Sequence, residues 1–228
     1  IKPDVVGNGA GLYSPTSSGD AAYGSLSGTS MASPNVVGTA TLIVEHYQDT
    51  CPIRPTPRSA TTKGILIHTA FDAGNVGPDY VYGWGVVDAA AAASFVSRAG
   101  GVGQRDFVQE NTYSGNEQTF VLVSDGSRPL KATIAWTDPA GPLQPNALDD
   151  PTSVLVNDLD LWVTGPGGSY FPWTLNPNNP SSPAVRTAAN HRDNVEQVLI
   201  DAPFSGTYTI HIGRTGAAFT QEYALLIS

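Results

Sequence analysis

Residues 28–47 read Gly28-Thr29-Ser30-Met31-Ala32-Ser33-Pro34-Asn35-Val36-Val37-Gly38-Thr39-Ala40-Thr41-Leu42-Ile43-Val44-Glu45-His46-Tyr47. From Ser30 to about Tyr47, the residues Met31, Val36, Val37, Ala40, Leu42, Ile43 and Val44 fall on most sides of a 3.6-residue spiral. A helix apolar nearly all round is buried within a sizeable domain. Pro34 falls in the first turn of such a helix, where its missing N–H costs nothing. A serine ahead of a helix is by default an N-cap. The residues around Ser30 point to a different use, taken up below.

Working outward, residues 61–69 (TTKGILIHT) predict a second helix and residues 89–96 a third, with Asp88 as its N-cap. Loops rich in Gly and Pro separate them at 50–57 and 73–78. Beyond the glycine-rich run 100–103 the period becomes two. Phe120 and Leu122 alternate with Thr119 and Val121, and Ala132, Ile134 and Trp136 with Lys131, Thr133 and Ala135. Leu159, Leu161 and Val163 alternate with Asp158, Asp160 and Trp162, and Tyr208, Ile210 and Ile212 with Thr207, Thr209 and His211. Residues 195–200 and 221–227 complete a set that predicts an antiparallel sandwich or jelly roll. The expected division is 1–99 and 104–228, with the glycine run as linker. Residues 139–151 and 176–183 are expected to be surface loops.

Composition narrows the function. The 228 residues carry 11 Lys+Arg against 20 Asp+Glu, a net charge of −9, so nucleic acid and anionic membranes are not expected partners. No apolar run approaches the roughly 20 residues that span a bilayer. The start, Ile1-Lys2-Pro3-Asp4, is no signal peptide and lacks Met, so the chain reads as cut from something longer. The single Cys51 excludes an internal disulfide and is expected to be a free, partly buried thiol.

The run Ser25-Leu26-Ser27-Gly28-Thr29-Ser30-Met31-Ala32-Ser33-Pro34 resembles the nucleophile motif of subtilisin-like serine proteases, in which Gly-Thr-Ser-Met-Ala-x-Pro opens a buried helix with the reactive serine at its N-terminus. Lys2-Pro3-Asp4-Val5-Val6 resembles the strand before the serine loop, with Gly7-Asn8-Gly9 in place of the usual Ala-Pro-Gly. Tyr82-Gly83-Trp84-Gly85-Val86-Val87-Asp88-Ala89-Ala90 resembles the turn and last helix of the catalytic domain. The fold class implied is the C-terminal, helix-rich part of an α/β subtilisin-like domain followed by an all-β jelly roll. The resemblance makes Ser30 the catalytic nucleophile, with its N–H and the Thr29 hydroxyl assisting at the oxyanion and Gly28 admitting the substrate backbone. Met31 would be its oxidation-sensitive neighbour. Helix N-termini suit such a role, because their unpaired N–H groups and positive dipole end favour negative charge.

In that family the order is Asp, His, Ser. Only 29 residues precede Ser30 and none is His; Asp4 belongs to the strand motif, and the oxyanion Asn is absent too. A serine without a positioned base is a poor nucleophile, so the expected partner is an upstream segment bearing Asp, His and the oxyanion Asn, and the substrate is protein or peptide. The α/β-hydrolase order offers an alternative base downstream, using Asp72 or Asp88 with His191 or His211. Against it stand Ala32 in place of the second Gly of Gly-x-Ser-x-Gly and the absence of a buried strand before Gly28. His46 and His68 are expected at the core edge or surface and His211 on an outward strand position, which leaves His191 as the histidine to inspect for a ligand role.

The second half resembles the jelly-roll domain that follows the catalytic domain in some alkaline subtilisin-like proteases, and more distantly the P-domain of proprotein convertases. The resembling residues are Asn157-Asp158-Leu159-Asp160-Leu161, Gly165-Pro166-Gly167-Gly168, Asn194-Val195-Glu196-Gln197-Val198 and Ala202-Pro203-Phe204-Ser205-Gly206-Thr207-Tyr208. Its implied role is to stabilise the catalytic domain. Oxygen-rich clusters at Asn157, Asp158 and Asp160, and at Asn190, Asp193, Asn194 and Glu196, suit structural calcium, which the resemblance also implies. The competing reading makes Asp158 and Asp160 solvated residues of an outer strand face. Trp136 is expected in the core, whereas Trp162, Trp173 and Tyr170 suit either a sugar platform or packing against the catalytic domain. Two functions therefore stand side by side: a piece of a secreted serine endopeptidase, or a non-catalytic protein- or glycan-binding module with a relic protease segment. The extracellular location follows from the resemblance alone.

Overall fold

The computed structural model describes residues 1–50, 56–100, 105–144, 147–148 and 150–228. Cys51, the 101–103 part of the expected linker and most of the 50–57 loop lie outside the described residues. A short hairpin, β1 (Leu12–Pro15) and β2 (Tyr23–Leu26), leads into helix α1 (Thr29–Thr50). Helix α2 spans Ser59–Thr69 and α3 spans Ala89–Ala99, the latter capped as expected by the Asp88 carboxylate accepting from the Ala91 N–H at 2.8 Å.

Eight strands follow: β3 (Phe107–Tyr113), β4 (Gln118–Ser124), β5 (Leu130–Trp136), β6 (Leu159–Gly165), β7 (Gly168–Tyr170), β8 (Val195–Ile200), β9 (Gly206–Arg214) and β10 (Gln221–Ile227). They form two antiparallel sheets, ordered β3-β10-β5-β8 and β4-β9-β6-β7. Leu225 lies opposite Ile134 in the first sheet and Leu161 opposite Ile212 in the second. The facing sides of both sheets supply one core, including Trp136, Ile134, Leu161, Tyr208, Ile210 and Leu225.

Strands β5, β8 and β10 of the first sheet are buried on both faces. Helix α2 lies across the sheet's outer side, where Ile65 and the β10 residues Ala224 and Leu226 share a core with Ile43 and Tyr47 of α1 and Phe95 and Val96 of α3. Gly64 makes this approach close: a Cβ at that position would stand 2.7 Å from Leu226 Cδ1. A third cluster joins Ile67 and Trp84 to Ala135, Trp173 and Val195. Of the two uses open to Trp173, the structure realises packing against the first part of the chain; Trp136 is in the core. His68 departs from expectation. It is buried between α2 and β5, with Nδ1 2.8 Å from Thr133 Oγ1 and Nε2 3.0 Å from Ser228 Oγ.

Helix α1 also departs from it. Only Thr39, Ile43 and Tyr47 are buried, while Val37 and Leu42 are 60% and 62% exposed. An apolar surface on nearly every side has found cover on one side only. The helix begins one residue earlier than expected, so Pro34 sits beyond the first turn and leaves the Ser30 carbonyl without a helical N–H donor. Residues 2–6 likewise make only one parallel bridge, Val6 to Val86, with the Val6 N–H donating to Gly85 O at 3.0 Å and the Val87 N–H to Val6 O at 2.9 Å.

Candidate functional site

Ser30 is the second residue of α1 and is exposed, as are Gly28 and Thr29. Gly28 places it. Its φ of 153° is one that L side chains rarely adopt, its N–H donates to Gly9 O at 2.7 Å, and its carbonyl accepts from Met31 at 3.0 Å and Ala32 at 3.2 Å. The loop 7–9 is pressed against this turn: a Cβ on Gly9 would lie 2.7 Å from Gly28 O and 2.9 Å from the Ala32 Cβ. Asn8 is held by Asn35, whose side-chain oxygen accepts its N–H at 3.2 Å. The Gly7-Asn8-Gly9 segment therefore packs closely under the serine loop, which its glycines allow. Among the described residues, nothing is hydrogen-bonded to the Ser30 hydroxyl or to the Thr29 and Ser30 N–H groups. An exposed hydroxyl beside free main-chain donors at a helix N-terminus is the arrangement that can hold a developing oxyanion.

No histidine of the chain serves this hydroxyl. His46 Nε2 is 2.7 Å from Ser97 Oγ, His68 is buried as described, and His211 Nδ1 is 2.6 Å from Glu117 Oε1 with its ring stacked on Trp162. His191 Nδ1 lies 2.9 Å from Asp158 Oδ2. The Ser–acid–His order downstream of Ser30 is thus not assembled in space. Asp4 is engaged by Lys2 at 2.5 Å and Lys63 at 3.0 Å. Beside it a groove of about 370 Å³ runs between Val5, Ser33, Val36, Val37 and Leu66, open to the bare side of α1.

A second constellation lies at one end of the sandwich. One ligand atom each from Asp158, Asp160 and His191 lie within 4.8 Å of one another. Thr215 Oγ1 donates to Asp160 Oδ2 at 2.9 Å, and the Leu161 N–H donates to Glu196 Oε2 at 2.7 Å. Asp158 Oδ1, Asp160 Oδ1 and Glu196 Oε1 are buried without hydrogen-bond partners. Burial pushes the carboxyls of Asp158 and Asp160 upward, and at Asp158 the charge of Asp160 adds to it. Burial drives Glu196 well above the usual range, against the Leu161 hydrogen bond and reinforced by Asp160 and Asp158. Asp158 and Asp160 are therefore not the solvated outer-face pair that alternation alone allows. The other residues expected to gather here do not all join them: Asp193 pairs with the Ile1 amino group and Asn190, and Asn157 donates to Gln221 Oε1 at 2.8 Å. The sequence held no local signal for the His191–Asp158 contact, because 33 residues separate the two.

Residues 1–85 match the family model of the subtilase family. Subtilisin DY of Bacillus licheniformis is 38% identical over 90 residues, covering 40% of this chain and 28% of that protein. An extracellular serine protease of Serratia marcescens is 33% identical over 102 residues, covering 44% of this chain and 9% of that protein. The first part of the chain is thus similar to a C-terminal portion of a subtilase, and the chain spans less than a third of the length of either relative. Among solved structures, the periplasmic inhibitor of g-type lysozyme from Aeromonas hydrophila, PliG, covers 55% of this chain and 87% of its own at 16% identity, with a TM-score of 0.33. PliG from Salmonella Typhimurium gives 12% identity and a TM-score of 0.27. Likeness of that extent carries no argument about fold or function. No helix of the described residues is long and apolar enough to cross a membrane.

Proposed function

We propose that this chain supplies the nucleophile of a secreted subtilisin-like endopeptidase whose Asp, His and oxyanion Asn come from an upstream segment. The observation that carries the reading is the exposed Ser30 hydroxyl among unbonded N–H groups, on a helix whose Val37 and Leu42 are bare. In the assembled site, an upstream imidazole takes the Ser30 proton as its oxygen attacks the scissile carbonyl. The tetrahedral oxyanion forms beside the Ser30 N–H and the Thr29 hydroxyl, and Gly28 leaves room for substrate backbone. Collapse of that intermediate releases the amine, protonated by the same imidazole, and water then cleaves the acyl-Ser30 ester. Calcium is not needed for these steps. The similarity to an extracellular serine protease of Serratia marcescens supports extracellular action.

We read the eight-stranded sandwich as a jelly roll that stabilises the protease part. The strand orders β3-β10-β5-β8 and β4-β9-β6-β7 and the shared apolar clusters support this reading. The test is peptide hydrolysis by the chain with and without its upstream segment. Activity is expected only in the combination, and Ser30→Ala in the combination should reduce kcat by at least about 10⁴-fold. Hydrolysis by the isolated chain at the combined rate would overturn the proposal.

A further inference from the structure

We propose that Asp158, Asp160 and His191, backed by Glu196, form a site for one divalent transition-metal ion of the zinc or manganese type. The ligand geometry comes first. His191 Nδ1 stands 2.9 Å from Asp158 Oδ2 and 3.5 Å from Asp160 Oδ1. Donors bound at about 2.0–2.2 Å to a common ion lie about 3.0–3.5 Å apart, and all three ligand atoms lie within 4.8 Å of one another, so one ion could draw them together.

The second argument is the three orphaned oxygens. Asp158 Oδ1, Asp160 Oδ1 and Glu196 Oε1 have no hydrogen-bond partner, and Glu196 is 0% exposed. Each carboxylate has a donor on its other oxygen, yet three neighbouring buried carboxylate oxygens left without one are costly unless paired or metal-bound. A single Nδ1–H points at one acceptor, so His191, even as imidazolium, leaves this group short of both donors and positive charge. A dication with several coordination positions meets both deficits.

The third argument is the donor set. An imidazole among carboxylates favours zinc or manganese, whereas calcium takes oxygen ligands throughout. The ligand set proposed here differs from the all-oxygen clusters expected from sequence for calcium, because it includes the His191 imidazole. The positions are already braced. Thr215 holds Asp160, and the Asp138 carboxylate accepts the Val156 and Asn157 N–H groups at 2.7 and 2.8 Å, fixing the approach to Asp158. Asp160 and His191 also line an open pocket of about 500 Å³ with Trp162 and Arg214, which gives an ion and its water a way in. Bound there, the ion would tie the loop carrying His191 to strand β6. The proposal does not rest on the chemistry of Ser30.

The experiment uses the untagged, chelator-stripped chain titrated with Zn²⁺, Mn²⁺ and Ca²⁺ by calorimetry, with thermal unfolding in parallel. One Zn²⁺ or Mn²⁺ should bind per chain and raise Tm, and Co²⁺ should give a visible d–d spectrum. His191→Ala, on a half-exposed side chain, should keep the native circular dichroism, weaken Zn²⁺ or Mn²⁺ binding by at least about tenfold and abolish the Co²⁺ spectrum. Asp193→Asn should bind as the parent does. Equal Zn²⁺ and Mn²⁺ binding by parent and His191→Ala, no binding by the parent, or binding of Ca²⁺ alone would each overturn it.

Discussion

His68 shows what one buried residue does to stability. Burial lowers its pKa well below 6.5, and the charges of Lys131 and Arg98 act in the same direction, so in the folded chain it is a neutral ring between Thr133, Ser228 and Phe95. Unfolded, it titrates near 6.5. Between the lowered folded value and 6.5 the unfolded chain binds a proton that the folded chain does not, so His68 makes stability fall as pH drops below about 6.5. The slope from one group is at most about 1.4 kcal/mol per pH unit. Urea unfolding at pH 7 and pH 5 should show His68→Gln losing less stability on acidification than the parent, by about 1–2 kcal/mol. Equal losses in the two proteins would reject this role. Nothing in TTKGILIHT says that the histidine side of the helix meets a sheet; the contact spans 65 residues to Thr133 and 160 to Ser228.

At the scale of elements, α2 against the first sheet is the joint of the molecule, and Gly64 lies where a side chain would meet the sheet. Gly64→Val would place its Cβ 2.7 Å from Leu226 Cδ1. Overpacking of this kind costs about 1–3 kcal/mol, which outweighs the roughly 0.5 kcal/mol of helix propensity gained. Chemical denaturation should report a net loss, and an unchanged midpoint would mean that the helix does not seat on the sheet as described.

Strands such as β5, β6 and β9 were legible because their apolar residues recur every second position. Strand β3 was not, since Gln109, Glu110, Asn111 and Thr112 interrupt any alternation. There Glu110 is used as an acceptor for the Arg58 N–H, at 2.7 Å, and for the Thr61 hydroxyl. Period two marks the faces of a sheet without saying which is wet, so the burial of both sides of β5 had to come from the structure. The serine loop was readable because its chemistry is local: seven consecutive residues carry it. The carboxylate–histidine cluster was only half readable, because its histidine arrives from a distant loop.

For the whole molecule, the distribution of apolar surface is the main clue. The sandwich closes its own core, and α2 and α3 close theirs against it, yet Leu42 on α1 stays open and so does Val37, which lines the groove near Asp4. If this side receives the upstream segment, Val37→Asp should barely alter the isolated chain, within about 0.5 kcal/mol for a surface change. The same variant should weaken assembly with that segment by at least about tenfold, because a charge would be buried unpaired at the contact. Titration of a labelled upstream segment reads the effect, and equal affinity for parent and variant would place the contact elsewhere.

The central claim is that residue 30 carries a hydroxyl waiting for a base. Its most direct test is labelling by a fluorophosphonate serine probe, with the modified residue located by mass spectrometry. The isolated chain should remain essentially unlabelled, and adding the upstream segment should produce a single adduct on Ser30. Full-rate labelling of Ser30 in the isolated chain, or an adduct on another serine in the assembled protein, would contradict the account.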